Sequence, residues 1–352
     1  MVEFRLPRLR EGEVLVEVTF CTLCGSDLHT FRGHRATPCP TVLGHEIIGR
    51  VAAFGEGARP RDHFGATLEL GQRVTWSVAA SCGTCFFCRD GLPQKCERLF
   101  KYGHEAIRDD APFCGGLAEV CHLVRGTAIM PIPEGLPDAV AGPANCATAT
   151  VAASLRVAPS LSGSTVVILG AGMLGVTACA MARTEGAANV VLVDVAAARL
   201  EIGKRFGASH TVLTGGETDE LSTLLQTLTE GRGADVALEM SGAREAIDRS
   251  TSLLRIGGTA VWVGAVFPEP PVKLAPEVIV KRLLSLRGVH NYTPADLATA
   301  LDFLARHHTE YPFAELVGEQ FPLSQVQRAF DLAQQGGYLR VAVVPDRAEF
   351  PS

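Results

Sequence analysis

The sequence has no run of five or more basic residues, and its 32 lysines and arginines are outnumbered by 38 aspartates and glutamates, for a formal net charge of -6. Electrostatics therefore argues against nucleic acid or an anionic membrane as a partner. The start, from Met1 to Arg10, lacks an apolar core, so no secretion signal is expected. Internal repeats, low-complexity tracts and long flexible linkers are missing too. The chain is instead rich in apolar residues, 47% of 352, which excludes a largely disordered protein and suits two domains of ordinary size. One charge-free stretch, Val157 to Ala182, is long enough to cross a bilayer. Pro159, Gly163, Gly170, Gly172 and Gly175 interrupt it, and they suit a buried strand, turn and helix better than a membrane helix.

Residues 12–20 alternate apolar and polar and read as a half-buried strand. From there to about residue 145 the chain shows short apolar runs, Gly, Pro and Cys with little helical period, the pattern of an irregular β-rich domain. Beyond residue 147 short apolar strands, at 165–169, 189–193, 210–213, 234–239, 259–263 and 283–288, alternate with helical stretches. Such alternation predicts a parallel sheet covered on both faces. Helices and a last strand at 339–344 follow.

There are 11 cysteines, an odd number. With no secretion signal a cytoplasmic location is expected, where disulfides are rare and clustered cysteines usually bind metal. Cys82, Cys85, Cys88 and Cys96 follow C-x2-C-x2-C-x7-C. Four thiolates on a short loop can close a tetrahedral shell around Zn²⁺ with no open position, which makes the site structural. Four unrelated buried cysteines and an iron–sulfur cluster are the alternatives. The shell carries a net negative charge that Arg89, Lys95 and Lys101 are expected to offset.

A second group is spread along the chain. Cys24, Ser26, Asp27 and His29 precede Gly44, His45 and Glu46, and Cys146 lies far beyond. Cys24 and His45 supply a thiolate and an imidazole, and Cys146 is the best third ligand for a zinc that keeps one open position. Such a metal polarises an alcohol oxygen. Asp27 or Glu46 accepts the second ring proton of a ligand histidine. Ser26 takes the alcohol proton and His29 relays it to water.

Gly170, Gly172 and Gly175 form G-x-G-x-x-G, spanning Met173 and Leu174, directly after the strand at 165–169. Asp194 ends the next strand, 24 residues after Gly170. Gly170 permits the tight turn, Gly172 the approach of a pyrophosphate, and Gly175 close helix–strand packing, while Asp194 is placed for the ribose hydroxyls. Val195 and Ala196, not an arginine, follow it, which favours NAD over NADP. Arg199 is expected along the adenine.

Together these motifs resemble the medium-chain dehydrogenase/reductase family, in its zinc-dependent alcohol dehydrogenase branch, over nearly the whole chain. The resemblance implies a GroES-like catalytic β-barrel built from residues 1–146 and 289–352, carrying a structural zinc lobe at about 82–96. It implies a Rossmann coenzyme domain, a doubly wound parallel sheet, over 147–288. It further implies two zinc ions per chain, NAD, and a dimer or tetramer of identical chains. Ser26 and His29 match the family's proton relay, Glu46 a carboxylate able to approach the zinc, and Arg340 a basic residue that touches the cofactor phosphates. Residues 236–242 are similar to its fourth-strand motif. Three departures stand out: the start is short by a strand pair, residues 58–70 form a longer loop than usual, and the third ligand position, which varies in the family between Cys and acidic residues, is Cys146, which resembles the alcohol dehydrogenases more than the sorbitol dehydrogenases. Details around Ser77–Cys82, Lys101–Glu105 and Gly142–Cys146 resemble two subgroups, cyclitol dehydrogenases of aminocyclitol antibiotic pathways and dehydrogenases that accompany phosphonate breakdown.

The expected function is hydride transfer between a secondary alcohol, of polyol or cyclitol type, and NAD. A hydroxyphosphonate or another small alcohol is an alternative substrate. An NAD-retaining epimerase or lyase, and a zinc-stabilised binding protein without catalysis, are the rival readings. Lys101, His104 and His122 are polar groups that can meet substrate oxygens, although such residues are more often solvated surface.

Overall fold

A computed structural model describes residues 3–57, 59–215, 219–266, 271–272 and 274–346. Ala58, the first residue of the long loop, and the two chain ends within the expected barrel lie outside these residues. The chain forms two compact units, Met1–Cys146 with Thr293–Thr309 and Phe313–Ser352, and Ala147–Tyr292 with Glu310–Pro312.

The first unit is organised around one strand, Val14–Thr22, two residues further along than the alternation suggests at its start. Glu46–Phe54 pairs antiparallel along one side of it. The other side is shared: Val14–Glu17 faces Val120–Leu123, and Cys21 and Thr22 face Arg340–Val344. The sheet order is Val317–Pro322, Arg340–Val344, Val14–Thr22, Glu46–Phe54, Arg73–Trp76, Ile129–Pro131. Gly49 allows the close approach of the two central strands, because a Cβ there would lie 2.3 Å from the Glu17 carbonyl oxygen. Val14, Val16, Val18, Ile47, Val74, Trp76, Tyr102 and Leu123 form the core beneath them. Burying each aliphatic side chain contributes about 1.5–3 kcal/mol.

The second unit is a six-stranded, wholly parallel sheet in the order His210–Leu213, Asn189–Asp194, Thr165–Leu169, Ala234–Glu239, Leu254–Trp262, Ser285–Gly288. Numbered along the chain this is 3-2-1-4-5-6, the Rossmann arrangement, whose ligand crevice lies where strands 1 and 4 diverge. The fifth strand starts at Leu254, five residues before the expected Thr259, since Gly257 and Gly258 conceal its first half in the sequence. The charge-free stretch resolves into the strand Thr165–Leu169 and the start of the helix Met173–Thr184. Among the described residues no helix is long and apolar enough to cross a membrane.

Candidate active site

The strand Val14–Thr22 ends two residues before Cys24, which caps the short helix Gly25–Phe31. Asp27 folds back to accept the Cys24 amide at 2.9 Å, as the N3 residue of a capping box does. Its other oxygen accepts the Gly44 amide at 3.1 Å and lies 3.3 Å from His45 Nδ1. Asp27 is fully buried. The choice between Asp27 and Glu46 as acceptor for the histidine is thereby resolved: Asp27 holds Nδ1, which turns Nε2 toward Ser26 Oγ, 3.4 Å away. Only glycine fits position 44, where φ is +86° and a Cβ would lie 2.7 Å from Cys21 Sγ.

Cys146 arrives from the opposite direction, after the 3₁₀ turn Gly142–Asn145. That turn is pinned by Asn145, whose side-chain amide donates to the Trp76 carbonyl at 3.0 Å. Cys146 Sγ stands 4.0 Å from Cys24 Sγ. Ligand atoms of Cys24, His45, Glu46 and Cys146 all lie within 4.8 Å of one another. Tetrahedral zinc with bonds of about 2.0–2.3 Å needs donors roughly 3.3–3.8 Å apart, so this donor set fits the metal with slight closure. The Cys146 thiol donating to Cys24, followed by the Arg340 and His45 charges, holds Cys24 well below the usual thiol range against the opposing effect of burial.

Glu46 is fully buried, and Arg340 is buried against it. Arg340 donates from Nε to one carboxylate oxygen at 2.7 Å and from Nη2 to the other at 2.8 Å, while Thr22 Oγ1 donates to the first at 2.5 Å. The guanidinium also approaches Cys24 Sγ at 3.5 Å. The basic group that the resemblance assigns to cofactor phosphates thus also holds Glu46 and approaches the Cys24 sulfur. Burial pushes the Glu46 carboxyl up, and the Arg340 charge beside it opposes that shift.

Ser26 and His29 sit three residues apart on the helix Gly25–Phe31, and so on one face. Partial burial, then the His34 and Arg32 charges, hold His29 below its ordinary value. His29 is therefore neutral at pH 7 and able to accept a proton.

Lys101 and His104 prove not to be solvated surface. His104 is buried, its ring centroid 5.1 Å from that of His45. Lys101 is half-buried, and desolvation, then the Arg35 charge, pushes it down to about 8. His122 lies elsewhere, buried against Glu13 with Nε2 3.0 Å from Oε2.

The four lobe cysteines also converge, with all sulfurs within 4.8 Å, Cys85 3.5 Å from Cys88 and 3.8 Å from Cys96. An S₄ shell around zinc needs about 3.8 Å between sulfurs, far more than the ~2.05 Å of a disulfide. Arg98 meets this negative shell: its amide donates to Cys96 Sγ at 3.3 Å, and Cys82 raises its guanidinium pKa.

In the parallel unit each glycine of the G-x-G-x-x-G segment has its own geometry. Gly170 has φ +107° and would bring a Cβ within 2.8 Å of Ser241 Cβ. A Cβ on Gly175 would lie 1.8 Å from the Gly170 carbonyl oxygen. At Gly172 a Cβ would meet nothing within 4 Å, so the loop there is open to a ligand at the start of the helix Met173–Thr184. Met173 packs inward and Leu174 is half-buried. Asp194 accepts the Ala171 amide at 2.6 Å and the Ala196 amide at 2.8 Å, which ties the second strand to the glycine loop. Arg199 is half-buried on the helix Ala197–Arg205.

Two family models match the chain. Residues 10–134 match the alcohol dehydrogenase GroES-like domain and residues 174–306 match the zinc-binding dehydrogenase family. A sorbitol dehydrogenase of Halalkalibacterium halodurans is 28% identical over 342 residues, covering 96% of this chain and 93% of that protein. The crystal structure of an alcohol dehydrogenase from Thermotoga maritima superposes with a TM-score of 0.92 at 29% identity, over 98% of this chain and 95% of the other. A zinc-binding dehydrogenase of Sinorhizobium meliloti 1021, solved with NADP, superposes with a TM-score of 0.84 at 26% identity, over 97% and 94%.

Proposed function

The chain belongs to the zinc-dependent medium-chain dehydrogenase/reductase family, and from that premise we propose that it oxidises a secondary alcohol of polyol or cyclitol type with NAD, using one catalytic and one structural zinc. The observation that carries this reading is the convergence of Cys24, His45 and Cys146 on one point beside Ser26. When bound, zinc supplies Lewis-acid polarisation of the substrate oxygen and the nicotinamide supplies the hydride acceptor.

The protein's own groups do the rest. Asp27 locks the tautomer and orientation of His45. The Arg340–Glu46 pair fixes a carboxylate and a cation beside Cys24, so the thiolate is not left alone in a buried setting. Ser26 Oγ takes the alcohol proton, and His29, neutral and one helical turn further on, carries it to solvent. The balance is an alcohol that loses one proton to this relay and one hydride to NAD, giving a ketone and NADH.

In the second unit Gly170, Gly172, Met173, Leu174 and Gly175 cradle the pyrophosphate and Arg199 flanks the adenine. Asp194 has spare lone pairs for the ribose hydroxyls, and its charge opposes a 2′-phosphate, which supports NAD over NADP. The proposed boundaries are residues 1–146 with 289–352 for the catalytic domain and 147–288 for the coenzyme domain. A homo-oligomer in the cytoplasm completes the reading.

Metal counting on the purified protein beside a 340 nm screen over cyclitols and sugar alcohols, with NAD and NADP in parallel, tests it. Two zinc ions per chain and NADH formation are expected. A fully metallated protein that reduces neither cofactor with any secondary alcohol would overturn it.

A further inference from the structure

The fourth strand of the parallel sheet, Ala234–Glu239, ends in a fully buried carboxylate that no proposed binding or catalytic step uses. Glu239 Oε1 accepts three hydrogen bonds, from the Ser241 amide, the Ser241 hydroxyl and the Gly242 amide, each at 2.7 Å. Oε2 is buried as well and meets no donor among the described residues. The side chain is thus spent on the turn that follows its own strand. One carboxylate oxygen has the lone pairs for several donors, and it gathers the two amides and the hydroxyl on a single point.

That turn is where three loops meet. The Glu239 carbonyl accepts the Val263 amide at 3.0 Å and the Gly264 amide at 3.2 Å, and the Met240 amide donates to the Leu169 carbonyl at 2.9 Å. These bonds join the ends of strands 1, 4 and 5. Glycines stand where the backbones touch. Gly242 has φ +74°, and a Cβ there would lie 2.5 Å from the Gly264 carbonyl oxygen. A Cβ on Gly264 would lie 2.1 Å from the Gly242 amide nitrogen, and the Gly170 loop abuts Ser241 from the other side. Backbones this close cannot shift singly, so the Ser241–Gly242 turn sets its neighbours. Ser241 itself is exposed at the rim, where its hydroxyl oxygen accepts the Ala243 amide at 3.0 Å.

The three loops lie at the carboxyl ends of strands 1, 4 and 5, beside the point where the sheet order reverses and a doubly wound fold takes its dinucleotide. Such a fold has two mononucleotide halves. The glycine loop and Asp194 belong to the half built from strands 1 to 3, which leaves strands 4 to 6 for the nicotinamide mononucleotide. We propose that Glu239 is a positioning residue for this second half: by holding Ser241 and Gly242 it fixes the loops 240–243 and 263–265 that receive the nicotinamide mononucleotide. This rests on the nicotinamide-cofactor reading and adds to it a buried group that touches no cofactor atom.

Two measurements on the zinc-loaded protein test it, with two conservative variants. Glu239→Gln keeps an acceptor oxygen at the same reach, whereas Glu239→Asp keeps the carboxylate but is one methylene too short for the turn. The first measurement is titration with NADH and with AMP, which probes the adenosine half alone. Glu239→Asp is expected to weaken NADH about tenfold and AMP less than about twofold, and Glu239→Gln to stay within about threefold of the parent for NADH. The second measurement needs no ligand: amide hydrogen exchange followed by mass spectrometry. In Glu239→Asp the segments 240–243 and 263–266 should exchange faster, while the strands Thr165–Leu169 and Asn189–Asp194 keep their protection. NADH and AMP weakened equally in Glu239→Asp would mark a general loosening of the sheet and overturn the proposal. Unchanged exchange at 240–243, or NADH bound equally by both variants, overturns it too. Failure of the cofactor reading looks different: the parent itself binds neither NADH nor AMP, while hydrogen exchange still decides whether Glu239 holds the two loops.

Discussion

Asp27 and His45 meet in a fully buried contact, Oδ1 to Nδ1 at 3.3 Å, and the same carboxylate also anchors the Cys24 and Gly44 amides. One side chain therefore positions two of the three proposed zinc ligands. Replacing Asp27 with Ala removes the acceptor from two backbone donors and from the imidazole at once. Catalytic zinc affinity should fall about 10- to 100-fold while the four-cysteine site keeps its metal. Chelator competition read by metal counting should pass through a plateau of one zinc per chain in Asp27→Ala at a chelator concentration that leaves the parent with two. Equal retention of both metals would show that Asp27 does not orient the ligands.

The relay predicts a particular pH dependence. His29 accepts a proton only when neutral, and its pKa is held below 6.5 by burial first and by His34 and Arg32 next. Rates of alcohol oxidation should fall as pH drops through that lowered value and should be level above it. Ser26→Ala should reduce kcat about 10²-fold or more, with a smaller change in KM. His29→Gln should lose the acid limb and run slowly at every pH between 5 and 8. If His29→Gln retains the limb, the proton leaves by another path.

Asp194 joins coenzyme choice to loop geometry, since it already accepts the Ala171 and Ala196 amides. Asp194→Ser keeps a short acceptor and removes the charge. NAD affinity should fall about tenfold or more and NADP affinity should change less or rise, which fluorescence titration with the two reduced cofactors can measure. An unchanged ratio of the two affinities would remove Asp194 from cofactor discrimination.

How much of this was legible in the sequence depended on how local each interaction is. The four lobe cysteines lie within 15 residues, so spacing alone announces them. The G-x-G-x-x-G segment is equally local, because one turn must supply all three of its geometries. The strands Glu46–Phe54 and Val317–Pro322 were not legible: Gly49 and Arg50 break the apolar run of the first, and Gly318, Glu319 and Gln320 that of the second. The partner of His45 was left open because Asp27 and Glu46 are both carboxylates within reach in sequence. Burial decided it, since Arg340, 294 residues from Glu46, claims both oxygens of that residue. Arg98, whose amide donates to Cys96 Sγ and whose guanidinium pKa Cys82 raises, carries no signal in the sequence that separates it from Lys95 or Arg89.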